Sequence, residues 1–165
     1  MIFVTTGTQA PFDRLIKIMD EVASSLTSTE IITQAVSSEY VVKSPNLKLL
    51  DFVPQKQFDQ YFIDAELIVS HAGTGSIFSA LTKNKPIIAF PRRASLGEHR
   101  NEHQLATARK FFDMDLLEVA FDESDLKEKV INFLNKSYTF SQKSVGKYAS
   151  SSLVDSLRKQ FLNGG

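Results

Sequence analysis

Short runs of strand-forming apolar residues alternate with segments of helical period along most of this chain, and that alternation narrows the fold more than any other feature. Parallel neighbours in a sheet need a long crossover, usually a helix, so strand–helix–strand repetition points to a parallel sheet. Residues 2–5 (IFVT) read as a first buried strand. Phe12, Leu15, Ile16, Met19, Val22, Ala23 and Leu26 then recur at helical spacing, with Asp13, Arg14, Lys17, Asp20 and Glu21 between them, so this helix has one apolar face. Strands follow at Ile31–Val36 and Leu47–Val53, with an extended piece near Tyr40–Val42, before Pro54 breaks the chain. A short helix around Gln57–Phe62 leads to a strand at Leu67–Ser70, a glycine loop, a helix from about Ser76 to Lys83 and a strand at Pro86–Phe90, which is one βαβ unit. A loop over 91–98 precedes a helix from about His99 to Phe112, a strand at Leu116–Ala120, a helix over Glu123–Leu134 and a final helical stretch near 143–162. The expected fold class is α/β, a Rossmann-like parallel sheet with helices on both faces, in a single domain over 1–165.

Size and charge agree with one such unit. A chain of 165 residues buries enough surface for its own core. The content, 42% hydrophobic and 23% charged, is that of a soluble globular protein, and no apolar run approaches the ~18–20 residues needed to cross a bilayer. Met1 leads straight into the first strand with no export-signal pattern, so the expectation is a cytoplasmic protein. With no cysteine, disulfides, thiolate metal sites and cysteine nucleophiles are all excluded. Lys plus Arg and Asp plus Glu both number 19, which removes the electrostatic footprint of a nucleic-acid binder. The charge is nevertheless uneven. Lys136, Lys143, Lys147, Arg158 and Lys159 face only Asp155 in the last thirty residues, a basic tail suited to an acidic partner or membrane surface, and equally to a solvated helix face.

Chemistry concentrates in three loops that follow buried strands. The strongest is Ser70-His71-Ala72-Gly73-Thr74-Gly75-Ser76, where glycines permit a sharp turn and the first turn of the next helix offers free N–H groups and partial positive charge to a phosphate. A tight strand-to-helix turn requires the same glycines. A second loop, Gly7-Thr8-Gln9, follows the first strand, and loops at the carboxyl ends of strands can converge on one crevice. Neither loop is the dinucleotide fingerprint or the nucleoside-triphosphate loop. The third runs from Pro91 to Gln104. There Arg92 and Arg93 can neutralise phosphate, while Glu98, His103 and Gln104 offer donors and acceptors to sugar hydroxyls. His71, at the carboxyl end of a strand, reads either as part of the site or as a structural histidine. His99 and His103 stand four apart, but no third ligand accompanies them and zinc is not expected. Asp113-Met114-Asp115 has the spacing of a cation-binding aspartate pair, yet falls between a helix end and a strand start, where turn chemistry explains it.

In order, VTTGTQ-PFDRLI, DAELIVSHAGTGSI and KPIIAFPRR with GEHRNEHQ resemble the C-terminal, donor-binding domain of glycosyltransferase family 28 over about residues 1–135. The likeness is strongest to stand-alone forms, such as the catalytic subunit of the two-component UDP-N-acetylglucosamine transferase and bacterial capsule and exopolysaccharide glycosyltransferase subunits. The resemblance implies one half of a GT-B fold and a hexosyltransferase with a UDP-sugar donor, no cofactor and no metal. It also implies a lipid-linked saccharide acceptor and a membrane-anchored partner subunit supplying the acceptor half, so that the chain lies at the inner membrane face through that partner. Carried onto this sequence, Gly7, Thr8 and Gln9 border the diphosphate, His71, Gly73, Thr74, Gly75 and Ser76 cradle it, and Glu98, His103 and Gln104 approach the sugar. One position departs: relatives commonly place a ribose-holding glutamate early in the helix after the glycine loop, and this chain has Ser79. A non-catalytic nucleotide-sugar-binding or scaffolding subunit is the competing expectation. For the tail, Val145, Ala149, Leu153, Leu157 and Phe161 form an apolar stripe that serves either the chain's own sheet or a partner.

Overall fold

Successive residues of a strand point to opposite faces, so strands apolar at every position can be buried only between two layers. That is the arrangement found. The computed structural model describes residues 1–26 and 28–137. Its elements are β1 (Ile2–Thr5), α1 (Asp13–Ser25), β2 (Ile31–Gln34), β3 (Leu47–Leu50), α2 (Gln55–Asp64), β4 (Leu67–Ser70), α3 (Thr74–Thr82), β5 (Ile87–Ala89), α4 (His103–Asp113), β6 (Glu118–Val119) and α5 (Glu123–Leu134), with a 3-10 turn at Ala94–Leu96. The strands form one sheet in the order β3-β2-β1-β4-β5-β6, parallel throughout. On one face Ile2, Val4, Leu67, Val69 and Ile88 pack under α1 and α5; on the other Phe3, Ile68, Ile87 and Ala89 pack under α2, α3 and α4. The order reverses between β1 and β4. At such a reversal the flanking connections leave toward opposite faces and open a crevice beyond the strand ends.

Several boundaries differ from the sequence reading. β2 and β3 end at Gln34 and Leu50, and Tyr40–Val42 is not a strand. The backbone N–H groups of Lys43 and Ser44, at 2.9 Å each, and the Tyr40 hydroxyl, at 3.0 Å, donate to the carboxylate of Asp20 on α1 instead of to a neighbouring strand. α3 begins at Thr74, so Gly75 lies inside it, and α4 begins at His103. Gly97 turns the chain in the left-handed region at φ 71°, and His99 Nδ1 is engaged by Asn101, which holds the preceding segment off the helix. His99 and His103 therefore share no helix face. The stretch near 143–162 lies outside the described residues.

Asp20 is 2% exposed yet ionised. Burial alone would raise its pKa, but the three donated hydrogen bonds and a fourth contact from the Ser44 hydroxyl outweigh it and hold the pKa below the ordinary carboxylate value. A carboxylate with a lowered folded-state pKa contributes stability that is full above its unfolded pKa and lost as pH falls through the folded one. Asp20→Asn turns an amide NH2 toward groups that themselves donate. It is expected to cost about 2 kcal/mol at neutral pH. Chemical denaturation checks this, and the gap between variant and wild type should shrink below about pH 4.

Candidate functional site

The crevice at the β1/β4 reversal is a cleft of about 610 Å³. Of the residues singled out in the sequence, Gly7, Thr8, Gln9, His71, Gly73, Thr74, Gly75, Ser76, Arg92 and Gln104 line it, and Arg93, Glu98 and His103 do not. The loops after β1, β4 and β5 therefore converge, as the carboxyl-end rule requires.

The floor is built around His71. Its imidazole occupies a slot between the two glycine loops: an ideal Cβ on Gly7 would lie 2.6 Å from Cε1, and one on Gly73 would lie 2.2 Å from Nε2. Gly7 also has φ 77°, which disfavours any side chain. The glycines thus serve the imidazole before they serve any ligand. Gly75 differs, since a Cβ there meets nothing within 4 Å. Burial, then the positive charge of Arg92, lower the His71 pKa to about 4 against a weaker opposing contact from the Thr5 carbonyl, so the ring is neutral at pH 7. Gly73 is the N-cap position of α3, and helix geometry leaves the amides of Thr74, Gly75 and Ser76, three residues that line the cleft, without intrahelical carbonyls.

Two arginines latch the walls to each other. Arg92, 2% exposed, reaches from the end of β5 to donate to the carbonyls of Thr6 and Ala10, lies 5.0 Å over the Phe12 ring, and has no partner for Nε among the described residues. Its main-chain N–H donates to Gln104 Oε1 at 3.1 Å, which sets that amide at the cleft edge. In return Arg14, on α1, holds the β5–α4 loop. Its guanidinium donates to both oxygens of Glu98 at 2.6 and 2.7 Å and to the Pro91 carbonyl at 3.2 Å, and lies 4.3 Å over the Phe90 ring. Burial works against the Arg14 charge, but the bonds and charge of Glu98, aided by Glu123, raise its pKa overall.

These contacts correct three expectations. Glu98 stands outside the cleft, with both of its oxygens committed to Arg14 and to the Arg93 N–H. The Arg93 guanidinium turns away from the cleft to the Phe121 carbonyl, so it is no phosphate ligand in this conformation. His103 is exposed at the first residue of α4, outside the cleft, while its neighbour Gln104 is inside. Asp113 and Asp115 lie at the far end of α4 and do not line the cleft. The sequence reading also leaves out a third wall, Phe52, Val53, Gln55 and Phe58, contributed by the end of β3 and the start of α2. Phe52 is 73% exposed there, past the end of β3 at Leu50, whereas the sequence reading places it inside the strand. Gln34, ending β2, accepts from the Thr5 hydroxyl at 2.7 Å and braces the first glycine loop through the Gly7 carbonyl. Ser79 lines the cleft from the second turn of α3.

The arrangement offers a charged diphosphate amide donors, a helix N-terminus and a buried cation, and offers a flat apolar group an aromatic face. The chain is similar to known proteins. The UDP-N-acetylglucosamine transferase subunit ALG13 of Candida albicans is 30% identical over 90 residues, 54% of this chain and 29% of that protein. The UDP-N-acetylglucosamine--N-acetylmuramyl-(pentapeptide) pyrophosphoryl-undecaprenol N-acetylglucosamine transferase of Bacteroides fragilis is 33% identical over 79 residues, 48% of this chain and 20% of that protein. Each match spans less than a third of the relative. The crystal structure of Acinetobacter baumannii MurG superposes with a TM-score of 0.58 at 16% identity, covering 96% of this chain and 49% of that one, which places the fold as one half of a GT-B glycosyltransferase. The model of the glycosyltransferase family 28 C-terminal domain matches residues 1–159, and the chain belongs to that family.

Proposed function

We propose that this chain is the UDP-sugar-binding catalytic subunit of a two-component inverting glycosyltransferase that acts on a lipid-linked saccharide in polysaccharide biosynthesis. The observation that carries this reading is the cleft itself: two glycine loops closed on one imidazole, with the N-terminus of α3 beside them and an exposed aromatic ring across from them. Its volume is within the range of nucleotide-sized ligand sites. The diphosphate rests on the α3 amides and His71, the uracil on Phe52, and the sugar reaches toward Gln104. Amides and a helix terminus then meet the charge that develops on departing UDP, with no cation required. The acceptor and its base come from a second, membrane-anchored component, which holds this chain at the cytoplasmic membrane face. No helix among the described residues is long and apolar enough to cross a membrane. The relatives' names support the donor and the lipid acceptor: one is a UDP-N-acetylglucosamine transferase subunit and the other uses a pyrophosphoryl-undecaprenol substrate.

A non-catalytic nucleotide-sugar-binding subunit is the second reading, and Ser79 favours it, since one short hydroxyl grips a ribose less firmly than a carboxylate. Calorimetry with UDP-sugars and with ADP- and GDP-sugars, followed by transfer assays, tests both. The expected result is UDP-selective binding that survives EDTA, negligible transfer by this chain alone, and transfer once a membrane-anchored partner and a lipid-linked acceptor are added. Absence of UDP-sugar binding overturns the reading. Transfer abolished by EDTA and restored by manganese returns Asp113 and Asp115 to consideration.

A further inference from the structure

The hydrogen-bond partners of His71 fix where its one proton sits when the ring is neutral. Two oxygens lie at hydrogen-bond range of Nδ1: the Thr5 carbonyl at 3.4 Å and the Ser70 hydroxyl at 3.5 Å. A carbonyl can only accept. The Ser70 hydroxyl spends its own hydrogen on the His71 carbonyl at 2.8 Å, so it too can only accept from the ring. Nδ1 therefore carries the hydrogen, and Nε2, on the side of the ring that faces Gly73 and Gly7, presents a lone pair. A phosphate oxygen arriving there meets a lone pair with a lone pair. The contact becomes attractive only if Nε2 gains a hydrogen, and Nδ1 cannot give its own up without turning a second lone pair on the Thr5 carbonyl.

We infer that His71 takes up a proton on Nε2 as the diphosphate of the donor enters the cleft, so that the ligand is held by an imidazolium and donor affinity is linked to pH. The inference rests on the donor-site reading above. The proton comes from solvent, no covalent bond changes, and the doubly charged ligand supplies the driving force. In the free chain the ring's pKa is about 4, set by burial and by the charge of Arg92, with a smaller contribution from His99 in the loop before α4. The loop after β1 and the first turn of α3 bring no ionisable side chain against it, and the nearest carboxylate of the β5–α4 loop, Glu98, is committed to Arg14. A phosphate charge at about 4 Å raises a neighbouring pKa by on the order of 3 units at the effective dielectric of a protein surface. Donor binding thereby brings the imidazole's titration from acid pH toward neutrality.

The sign follows. Between the free and bound pKa values the complex holds one more proton than the free chain, so affinity weakens by up to about tenfold for each unit of rising pH and levels off above the bound-state pKa. UDP-N-acetylglucosamine is the probe of choice, because its diphosphate diester has no group titrating near neutrality, whereas free UDP does. Calorimetry at pH 6.5 in buffers of different ionisation enthalpy should report uptake of roughly half to one proton per donor bound. His71→Gln, which keeps a donating amide, should bind with no buffer dependence and a flat pH profile. Should that variant fold poorly, the imidazole 15N shifts of the wild-type chain, with three histidines to assign, report the same event directly: Nε2 unprotonated alone and protonated with the donor. Binding with no proton uptake, uptake unchanged in His71→Gln, or an Nε2 already protonated in the free chain each overturns the inference and leaves the donor-site reading standing. No binding of any UDP-sugar overturns both.

Discussion

Gly73→Ala is expected to weaken UDP-sugar binding by about 100-fold, the cost of displacing a charged hydrogen-bonding group from a phosphate. The backbone itself tolerates the change, since Gly73 sits at φ −80° and ψ 131°, an ordinary extended conformation. The conflict is with one side chain: the new Cβ would lie 2.2 Å from His71 Nε2, and the ring cannot retreat because Gly7 and the Thr5 carbonyl bound its slot on other sides. This reassigns the cause of the glycine requirement from ligand approach to the imidazole. It also predicts strong coupling. In a His71→Ala background the same Gly73→Ala change should cost almost nothing further in affinity, whereas independent effects would add. Gly75→Ala is the contrast, because it adds a methyl to open space inside α3 and should stabilise the fold by up to about 1 kcal/mol. Calorimetric titration of the four variants reads the affinities and chemical denaturation of Gly75→Ala reads the stability, and equal donor affinity in wild type and Gly73→Ala would remove the imidazole from the site.

Glu98→Ala is expected to lower the stability of the fold by about 3 kcal/mol, the usual cost of removing one partner of a desolvated ion pair. The side chains of Arg14 and Glu98 are only 15% and 13% exposed, and the substitution leaves the Arg14 guanidinium with the half-exposed Glu123 as its remaining carboxylate partner and the Arg93 N–H without its acceptor. For a chain of this size that corresponds to a fall in Tm of roughly 6–12 °C. The effect on ligands separates a positioning role from a sugar contact. If Glu98 only holds the β5–α4 loop, affinity for UDP and for UDP-sugar falls by the same factor. Were it touching the sugar, UDP binding would be unchanged and stability nearly so. Arg14→Met combined with Glu98→Gln should lose less than the sum of the single changes, because no unpaired charge remains.

The elements of the sheet were readable because burial on two faces demands apolar residues at consecutive strand positions, and IFVT, LIVS and PIIAF supply them. The meeting of the Gly7 and Gly73 loops was equally readable from the rule that parallel strands place their carboxyl ends together, and β1 does pair with β4. Tyr40–Val42 was not, since its strand-like residues carry no sign that Asp20, twenty positions before Tyr40, would take the Tyr40 hydroxyl and the N–H groups of Lys43 and Ser44 just beyond them. Nor was Phe52, whose place in the cleft depends on β3 lying at the sheet edge beside β2.

What the sequence determined by itself, then, was periodicity and turn chemistry: which segments are strands and helices, and where glycine lets the chain turn. These are local properties, decided within a few residues of each position. Tertiary structure alone decided the direction of the long polar side chains. Arg92, Arg93 and Glu98 are three neighbours of similar promise in the sequence, yet one goes beneath the cleft, one to Phe121 and one to Arg14. Their partners lie 86, 28 and 84 residues away along the chain. A flexible charged side chain goes to whichever partner the folded backbone brings within its reach, and those partners, on the loop after β1, on α1 and just past β6, are not in place until the sheet has formed.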